Sequence, residues 1–333
     1  MSRPPEVDVV IALYRPGVWI AGCLDSVRAQ RDVAPHTILV DDDPRSPLAA
    51  SLAAGMPGAV AVGTTRNRGY AAANNAGIAA SSAPFVLCLN QDARLAPDYL
   101  ARLVALMRSS PQVGSASGKV LTIGSPTSRA DGTLDSAGLE MRAGRRAVDI
   151  GQGTRDDARF DGIREVFGVS AAAGLYRRSA LEAIAEAGAV FDESFFMYKE
   201  DVDVAWRLRR AGFSACVDGR AVAYHGRSAA GPRRRGGLSG LVALWRNERA
   251  KPKQIRRLSW RNQLLLIAKN ESSASMGAAL PRLMRMQILH ACADLVLDPI
   301  GGFVNRLRLI PRIGRSVAQR DGRFAIDLRR WLP

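Results

Sequence analysis

Short apolar runs alternate with longer amphipathic segments over the first third of the chain. Val9–Leu13 is typical of a buried strand, and Gly17–Gln30 places apolar side chains at helical spacing. The same alternation predicts strands at Thr37–Val40, Ala59–Thr64 and Phe85–Leu89 and helices at Tyr70–Ala80 and Pro97–Arg108. It favours an α/β fold in which helices flank a mostly parallel sheet.

The pattern is less regular in the middle of the chain. Residues 122–165 are rich in Gly, Ser, Thr, Asp and Arg, which predicts a long irregular insertion. The elements predicted next are a strand at Val166–Val169, a small-residue stretch at Ser170–Gly174, a helix near Arg178–Ala187 and two strands at Phe213–Val217 and Ala221–Tyr224.

Residues 195–213 combine an aromatic run with three carboxylates at the start of a predicted helix. The carboxylates are Glu200, Asp201 and Asp203, and Gly212 stands where the helix is expected to end. Acids at the beginning and arginines at the end suit the helix dipole, so a structural role is one explanation. The dipole needs one acid rather than three, and aromatic residues beside clustered acids favour a pocket wall.

Polar residues follow the apolar strands directly. Asp41 ends the second predicted strand, Asp92 follows the fourth, and His225 ends the last. Ligands of open α/β sheets bind beyond the carboxyl ends of the strands. At this edge Asp92 and His225 could bind Mg²⁺ or Mn²⁺ together with a diphosphate. The alternative is that Asp92 is an acid of a turn and that His225 has a structural role.

Two further groups could contact a nucleotide. Asp41 could accept hydrogen bonds from a base or a ribose hydroxyl, or it could cap a helix. Asn67, Gly69, Asn74 and Asn75 flank the start of a predicted helix, where backbone N–H groups can meet a nucleotide. Asparagine is also common at helix starts, so these residues are weak indicators alone.

Charge is distributed unevenly along the chain, which has 333 residues and a formal net charge of +16. Residues 1–225 hold 25 basic and 25 acidic side chains, whereas residues 226–333 hold 22 and 6. The sequence therefore predicts a neutral domain at 1–228 and a basic, mainly helical extension at 229–333. Residues 226–240 are expected to be a flexible basic linker or loop.

Several classes are disfavoured by what the sequence lacks. There is no secretion signal and no apolar stretch long enough for a transmembrane helix. The four cysteines are scattered without metal-like spacing, as is typical of a protein in the reducing cytoplasm. The glycine fingerprint of dinucleotide dehydrogenases and the Walker lysine motif are both missing.

The order of these motifs resembles that of the bacterial family 2 glycosyltransferases, particularly the rhamnosyltransferase-like branch. The motifs are Asn-x-Gly-Tyr-x-x-x-Asn-Asn-x-Gly-Ile at 67–78, Leu-Asn-x-Asp at 89–92, Phe-Asp-Glu-x-Phe-Phe-Met-Tyr-x-Glu-Asp-x-Asp at 191–203, and His225. The resemblance covers about residues 7–228, with a weaker similarity at Trp260-Arg261-Asn262.

The resemblance implies a GT-A fold and inverting transfer of a sugar from a nucleotide donor, with Mg²⁺ or Mn²⁺ as cofactor. It implies that Asp92 and His225 bind the metal and that Asp201 is the general base, with Glu200 supporting it or acting as the base itself. The donor-binding residues implied are Ala12, Tyr14, Asp41, Asn67, Gly69, Asn75, Asn90 and Gln91. The residues implied for the acceptor pocket are Gly174, Phe196, Met197 and Tyr198.

Three places depart from the pattern of that family. Asn90-Gln91-Asp92 has one carboxylate where Asp-x-Asp is common, Tyr14-Arg15-Pro16 replaces a Tyr-Asn pair, and Asp41-Asp42-Asp43-Pro44 replaces Asp-Asn-x-Ser. The nucleotide preference therefore stays open. The branch resembled implies dTDP-L-rhamnose as donor, and UDP-linked galactofuranose or N-acetylhexosamine are the alternatives.

The basic extension predicts an anionic neighbour. Arginine-rich amphipathic helices bind anionic leaflets, where each basic residue contributes about 1 kcal/mol. We expect a cytoplasmic protein attached to the inner face of the plasma membrane and acting on a cell-envelope polysaccharide or lipid-diphosphate-linked glycan. A nucleic-acid-binding protein and a non-catalytic nucleotide-sugar-binding protein are the alternatives. No nucleic acid is expected, because the extension lacks a recognisable binding module.

Overall fold

The structure, a computed structural model, describes residues 6–45, 47–226, 249, 252–271, 273–318 and 328–332. The basic linker predicted at 226–240 lies outside the described residues except for Gly226. The strands are β1 (Glu6–Leu13), β2 (Ala34–Asp41), β3 (Val60–Gly63), β4 (Phe85–Asn90), β5 (Ala93–Leu95), β6 (Val113–Thr122), β7 (Leu134–Ser136), β8 (Leu139–Arg142), β9 (Arg146–Asp149), β10 (Ile163–Val166), β11 (Ala173–Arg177) and β12 (Ser214–His225). The α-helices are α1 (Trp19–Arg28), α2 (Ala49–Ala54), α3 (Tyr70–Ala79), α4 (Tyr99–Ser109), α5 (Arg178–Ile184), α6 (Glu200–Arg210), α7 (Lys253–Asn270), α8 (Ser273–Leu297) and α9 (Pro299–Ala318).

Within the described residues, ten strands form one sheet in the order β10-β12-β6-β11-β4-β1-β2-β3, with β5 beside β12 and β7 beside β6. Strands β3, β2, β1 and β4 are parallel to one another, as are β6 and β12. Strand β11 lies between these two groups and runs antiparallel to both β4 and β6. The predicted α/β class with a mostly parallel sheet is confirmed.

The register brings the polar strand ends together at one edge of the sheet. Strands β1, β2 and β4 end side by side, because Leu13 is paired with Asp41 and Ala12 with Asn90. Strand β5 starts just after Asp92 and pairs with the last residues of β12. This edge is where ligands bind in open α/β sheets.

Helices cover both faces of the sheet and bury its apolar side chains. On one face α1 and α4 pack through Leu24 and Leu103, and on the other α3, α5 and α6 pack through Ile78, Leu181 and Leu208. Because both faces are buried, the strands are apolar throughout rather than alternating, which is why the short apolar runs were informative.

The first described helix of the basic extension, α7, shares a core with the rest of the molecule. Trp260 and Leu265 of α7 and Leu309 of α9 join Trp206 of α6 and Phe195 in one buried cluster. The described part of the chain contains no helix long and apolar enough to span a bilayer.

One central strand escaped the sequence pattern. All ten residues of β6 are buried, but they are mainly small and include Gly114 and Gly118. A Cβ on Gly118 would stand 2.0 Å from the carbonyl oxygen of Ala221, and a Cβ on Gly114 would stand 2.7 Å from Cβ of Phe213. The close approach of Ala221 and Phe213 therefore excludes bulky side chains at these two positions. Bulky apolar side chains are the feature by which a strand is recognised in a sequence.

The region from 122 to 177 also differs from the prediction. Residues 122–165 contain the strands β7, β8, β9 and the beginning of β10, so the insertion is not irregular throughout. The strand expected at Val166–Val169 ends at Val166, and the small-residue stretch at Ser170–Gly174 leads into β11 rather than directly into a helix. The two strands predicted at 213–224 are one strand, β12, with an irregularity between Asp218 and Val222.

Candidate active site

The backbone directly before α6 adopts an unusual conformation. Phe196, Tyr198 and Lys199 have φ angles of 65°, 70° and 71°. Phe196 is the centre of a γ-turn, since the Met197 N–H donates to the Phe195 carbonyl at 2.7 Å. Left-handed backbone costs a non-glycine residue about 1–3 kcal/mol and persists only where its surroundings hold it. The strain lies immediately before the two adjacent acids of α6.

The γ-turn contacts the Asn-x-Gly loop at the start of α3. The Ala71 N–H donates to the Phe196 carbonyl at 3.1 Å. Gly69 has a φ of 86°, and a Cβ there would stand 2.5 Å from Cδ2 and O of Phe196. Only glycine fits this position, so Gly69 acts through packing and backbone conformation. Two motifs that are far apart in sequence therefore meet at one point.

Glu200 and Asp201 occupy different environments. Glu200 is 6% exposed, and its Oε2 is buried without a hydrogen-bond partner among the described residues. Asp201 is half-buried, with Oδ1 accepting from the Val202 N–H at 2.8 Å and Oδ2 from the Ala171 N–H at 3.4 Å. Burial and the neighbouring charge of Asp201 raise the pKa of Glu200. Burial also raises the pKa of Asp201, although the two N–H groups partly oppose it.

The third acid of α6 has a structural role. Asp203 is fully buried and accepts hydrogen bonds from Arg207 Nε at 2.8 Å and Asn270 Nδ2 at 2.7 Å. Burial opposes its charge, but Arg207, Lys269 and Asn270 outweigh it and hold the pKa of Asp203 below its ordinary value. This carboxylate therefore joins α6 to α7 and is not available for proton transfer.

His225 lies between two carboxylates. Its Nε2 is 3.2 Å from Asp92 Oδ1 and 3.1 Å from Asn90 Nδ2, and its Nδ1 is 2.8 Å from Asp135 Oδ2. Burial of the imidazole opposes its charge, but Asp135 and Asp92 together raise the pKa of His225 to about 9. The predicted neighbourhood of Asp92 and His225 is therefore present at the carboxyl edge of the sheet.

The chemistry of this donor set fits a divalent cation. Nδ1 of His225 donates its proton to Asp135, so Nε2 faces the side chain of Asp92 and would offer its lone pair to a cation that displaces the second proton of the ring. An imidazole oriented by a second carboxylate is a common arrangement of metal-binding histidines. No group of three His, Cys, Asp or Glu side chains that could hold a metal occurs among the described residues. Among the described residues, Asp92 and His225 are therefore the candidate ligands.

Asp41 takes the helix-capping role that was the alternative to base binding. Its two carboxylate oxygens accept the Leu48 and Ala49 N–H groups, each at 2.9 Å, at the start of α2. Both oxygens are thereby engaged with backbone. Asp41 stands at the expected edge of the sheet, but its contacts are those of a cap.

The next aspartate shapes the loop that precedes α3. Asp42 is buried and accepts the Arg68 and Gly69 N–H groups, each at 2.8 Å. Burial raises its pKa, although these N–H groups and the Arg68 side chain partly oppose the shift. Asn67 accepts from the same Gly69 N–H at 3.0 Å and is itself exposed. Asn67 is therefore placed to meet a ligand, and Asp42 is a supporting residue that the sequence pattern did not reveal.

The structure gives Asn75 a different role from the predicted donor contact. Its Oδ1 accepts from the N–H groups of Val190 and Phe191 at 3.1 and 2.8 Å, and its Nδ2 donates to the Phe191 carbonyl at 2.8 Å. The amide thus joins α3 to the chain that leads into the γ-turn. These hydrogen bonds lie inside the protein, and the donor contact expected for Asn75 stays a prediction.

Tyr14 and Gln91 bind each other across the ends of β1 and β4. The Tyr14 N–H donates to Gln91 Oε1 at 2.9 Å, and Gln91 Nε2 donates to the Tyr14 carbonyl at 2.8 Å. Both groups lie beside the half-buried Ala12 and Asn90 on the sheet edge. The four predicted residues are therefore brought together, and the reciprocal pair fixes the shape of this part of the edge.

Gly174 lies beneath the site rather than on its surface. It is buried in β11, and a Cβ there would stand 3.0 Å from the Ser170 carbonyl oxygen and 3.1 Å from the Tyr176 hydroxyl. Gly174 has a packing role in the structure, and the acceptor-pocket role expected for it stays a prediction. Phe196, Met197 and Tyr198 are half-buried, as residues of a pocket wall would be.

Comparison with known proteins identifies the family. Residues 8–184 match the family described as glycosyl transferase family 2, which is more than half of the chain. The chain belongs to glycosyl transferase family 2. Asp41, the 67–78 motif and Asp92 fall within the matched residues, whereas Glu200, Asp201 and His225 follow them.

Two individual proteins show more limited similarity. The chain is 31% identical over 105 residues to the succinoglycan biosynthesis protein ExoO of Rhizobium meliloti (strain 1021). That match spans 31% of this chain and 30% of the relative. A solved structure, titled as GalNAc-T7 with UDP, GalNAc and Mn2+, superposes with a TM-score of 0.56 at 14% identity, covering 80% of this chain and 48% of that one. The predicted GT-A fold is confirmed.

Asp135 is the main site residue that the sequence analysis missed. It lies in β7 within the region expected to be irregular, between buried Leu134 and Ser136. An acid flanked by buried positions is a signal that it has a partner, but the identity of that partner depends on how β7 pairs with β6.

Proposed function

We propose that the protein is an inverting glycosyltransferase that moves a sugar from a nucleotide donor to a hydroxyl group of a polysaccharide or lipid-linked glycan. The observation that carries this proposal is the juxtaposition of Asp92, His225 and Asp135 at the carboxyl edge of a family 2 sheet. The partial relative is a succinoglycan biosynthesis protein, which supports a polysaccharide product.

Asp92 and His225 would hold Mg²⁺ or Mn²⁺ in this proposal. When bound, such a cation supplies positive charge that stabilises a leaving diphosphate. Asp135 would orient the His225 ring through Nδ1 and keep Nε2 turned toward Asp92. Asn90, at 3.1 Å from Nε2, would limit the rotation of the same ring.

Asp201 is the proposed general base, because it is more exposed than its neighbour Glu200. It would accept the proton of the acceptor hydroxyl as that oxygen forms a bond to the anomeric carbon and the bond from this carbon to the diphosphate oxygen breaks. Attack opposite the leaving group inverts the configuration. Glu200, buried beneath it, would modulate the charge of the pair.

The donor proposed first is dTDP-L-rhamnose, on the strength of the rhamnosyltransferase-like motifs at 67–78 and 191–203. A UDP-linked galactofuranose or N-acetylhexosamine is the alternative, and the solved structure of similar fold supports it because its title includes UDP and GalNAc. The edge formed by Ala12, Tyr14, Asn90 and Gln91 would contact the nucleotide in either case.

Calorimetric binding of dTDP and of UDP, each with Mn²⁺ and then with a chelator, tests the proposal and separates the two donors. We expect one nucleotide to bind in a metal-dependent manner. Absence of binding by both would contradict it. A tight, salt-dependent complex with duplex DNA in that case would favour the nucleic-acid-binding alternative.

The variant Asp201→Asn distinguishes an enzyme from a non-catalytic nucleotide-sugar-binding protein. We expect turnover to fall by about 10²–10⁴-fold, the usual contribution of a general base, with nucleotide binding unchanged. Turnover equal to that of wild type would rule out Asp201 as the base and direct the same test to Glu200→Gln.

We also propose that the extension docks on an anionic leaflet at the cytoplasmic face of the plasma membrane. Most of the exposed large apolar side chains in the described residues lie on α8 and α9 at helical spacing; they are Leu280, Met284, Ile288, Leu295, Val296, Ile300, Phe303 and Leu307. Arg282 and Arg285 are exposed on α8 among these residues. An apolar stripe beside basic side chains suits a surface that offers both acyl chains and negative charge.

Co-sedimentation with phosphatidylglycerol-containing vesicles at low salt tests this surface. We expect wild type to pellet and the double variant Ile300→Asp/Phe303→Asp to remain in the supernatant. Ile163→Asp is a matched control, because Ile163 is equally exposed but lies on β10, away from α8 and α9. Equal binding by all three proteins would contradict a role for α9.

The division at residues 228 and 229 is retained as a proposal. The part from 1 to 228 would bind the donor and carry the acids, and the part from 229 to 333 would reach the membrane. Helix α7 belongs to the second part by sequence but packs against Trp206 of the first. The two parts would therefore be joined through the packing of α7.

A further inference from the structure

Helix α7 of the extension donates hydrogen bonds to the strained backbone before the acid pair. Asn262 of α7 is completely buried, and its Nδ2 lies 2.9, 2.8 and 2.7 Å from the carbonyl oxygens of Phe195, Met197 and Tyr198. These three carbonyls have no place in a regular helix or strand. An unsatisfied buried carbonyl would cost about 1–3 kcal/mol, so a single amide serves several groups at once.

The orientation of that amide is determined by its neighbour. Arg261 Nε donates to Asn262 Oδ1 at 2.9 Å, and Arg261 Nη2 donates to the carbonyls of Ser194 and Phe195, each at 2.8 Å. Because Oδ1 faces a guanidinium, Nδ2 must face the carbonyls. The pair thus binds four of the five backbone carbonyls from 194 to 198, all except that of Phe196.

Every carbonyl from 195 to 199 has a donor in this arrangement. The two that Asn262 does not reach are those of Phe196, which accepts the Ala71 N–H at 3.1 Å, and Lys199, which accepts the Asp203 N–H at 3.0 Å. Left-handed residues persist only where the surroundings over-determine them. The surroundings here are the α3 loop on one side and α7 on the other.

We propose that Asn262 is a positioning residue for the acid pair: it holds the left-handed 195–199 segment and thereby sets where Glu200 and Asp201 stand. This inference rests on the proposed function for its catalytic consequence. Arg261 acts on the same segment by orienting the amide and by binding its first carbonyls. Asn262 touches neither donor nor acceptor in this proposal.

The test compares Asn262→Leu, Asn262→Asp and Gln263→Leu by hydrogen exchange and by kinetics. Gln263 is a matched control, because it is also buried in α7 but donates to the Arg145 carbonyl at 2.7 Å instead. Asn262→Leu removes the N–H donors of the amide and keeps a side chain of similar size. Asn262→Asp replaces the amide nitrogen with an oxygen, which the three carbonyl oxygens repel. We expect amide exchange in peptides covering 195–203 and 69–73 to accelerate at least about tenfold in both Asn262 variants and to stay unchanged in the control.

We further expect kcat to fall by about 100-fold in Asn262→Leu with KM for the donor within about twofold of wild type, because misplacing a catalytic group affects the chemical step. Unchanged exchange in the 195–203 peptides would overturn the proposal. Faster exchange with unchanged kcat would overturn the positioning role.

A second variant and the separate exchange measurement keep the proposal testable. If Asn262→Leu does not fold, Arg261→Lys retains the charge, loses the fork that binds Ser194 and Phe195, and carries the same prediction for exchange. If wild type transfers no sugar, the proposed function fails, and the exchange data still decide whether Asn262 holds the segment.

Discussion

The adjacent acids at the start of α6 stand in different environments, because Glu200 is buried and Asp201 is half-buried. Glu200 has no hydrogen-bond partner for Oε2 among the described residues, whereas Asp201 receives two backbone N–H groups. Two like charges at neighbouring positions titrate as a coupled pair. The behaviour of the pair with pH is therefore a property of both side chains.

We expect kcat/KM to decrease as pH falls through a value above the ordinary range of carboxyl groups. The reason is that burial raises the pKa of both Glu200 and Asp201, and a protonated Asp201 cannot accept a proton. A pH–rate profile of wild type and Glu200→Gln measures this. The acid limb should stay in place in the variant, because Glu200, whose pKa is raised to about 8, is already neutral at the pH where Asp201 titrates. A limb that moves to lower pH would contradict this order of titration.

The same shift acts on stability with the opposite sign. A carboxyl whose pKa is raised in the folded state stabilises the fold at low pH, and this contribution is lost as pH rises through the raised pKa. The unfolding free energy of Glu200→Gln relative to wild type should therefore increase with pH over about pH 5–8. Urea unfolding at several pH values provides the measurement.

Asp135 acts on the proposed metal site through the ring of His225. In Asp135→Asn the charge 2.8 Å from Nδ1 is removed, so we expect Mn²⁺ affinity in the presence of nucleotide to fall by about 10–100-fold. Calorimetric titration measures it. Asp131→Asn, in the exposed loop before β7, is the control and should bind metal as wild type does. Equal Mn²⁺ affinity of the two variants would show that Asp135 does not contribute to metal binding.

Among the elements, β6 depends most on the small size of its residues. It lies between β11 and β12, and its glycines allow the neighbouring chain to approach closely. A strand of this composition has no hydrophobic run that sequence analysis can detect. Its place in the sheet is visible only once β11 and β12 are positioned on either side.

Gly118→Ala tests this explanation of β6. The added methyl would stand 2.0 Å from the Ala221 carbonyl oxygen, and overpacking of a core typically costs about 1–3 kcal/mol. We expect a loss of at least this size in urea unfolding. Gly124→Ala is the matched control, because a Cβ there meets nothing within 4 Å, and it should change stability by less than about 0.5 kcal/mol. Similar losses in both variants would contradict the steric explanation.

At the scale of the whole molecule, a buried lysine joins the extension to the catalytic part. Lys269 of α7 is 2% exposed, and its Nζ lies 3.1 Å from Glu186, 3.1 Å from Asp192 and 3.5 Å from Asp203. Burial opposes its charge, but Asp203, Asp192 and Glu186 outweigh this and raise its pKa. The four groups come from three parts of the chain: the connection between α5 and α6, helix α6 and helix α7.

We expect Lys269→Met to destabilise the protein by about 3–5 kcal/mol, because it leaves buried carboxylates without their shared cation. Lys253→Met, at the exposed start of α7, should change the unfolding free energy by less than about 0.5 kcal/mol. The midpoints of urea unfolding compare the two. A small loss in both would mean that the ion pairs of Lys269 contribute little to holding α7 in place.

The sequence alone determined the α/β class, the strands and helices of the first hundred residues other than the short α2 and β5, and the motifs that meet at the sheet edge. These features are local, because apolar runs and helical spacing indicate which residues are buried. Polar residues at the strand ends indicate the carboxyl edge of the sheet. The roles of single residues were harder to predict, because Asp41 and Asn75 have side chains that suit a ligand or a cap equally well. Only their partners in space distinguish the two.

Tertiary structure alone decided the pairing of His225 with Asp135, the burial of Asp203 against α7, and the support of the 195–199 segment by Asn262. Each contact joins residues that are distant in sequence, and its formation depends on strand order and helix packing rather than on any local pattern. The basic charge pointed to a separate extension, but helix α7 packs in the core because its apolar side chains and buried polar groups find complementary partners there.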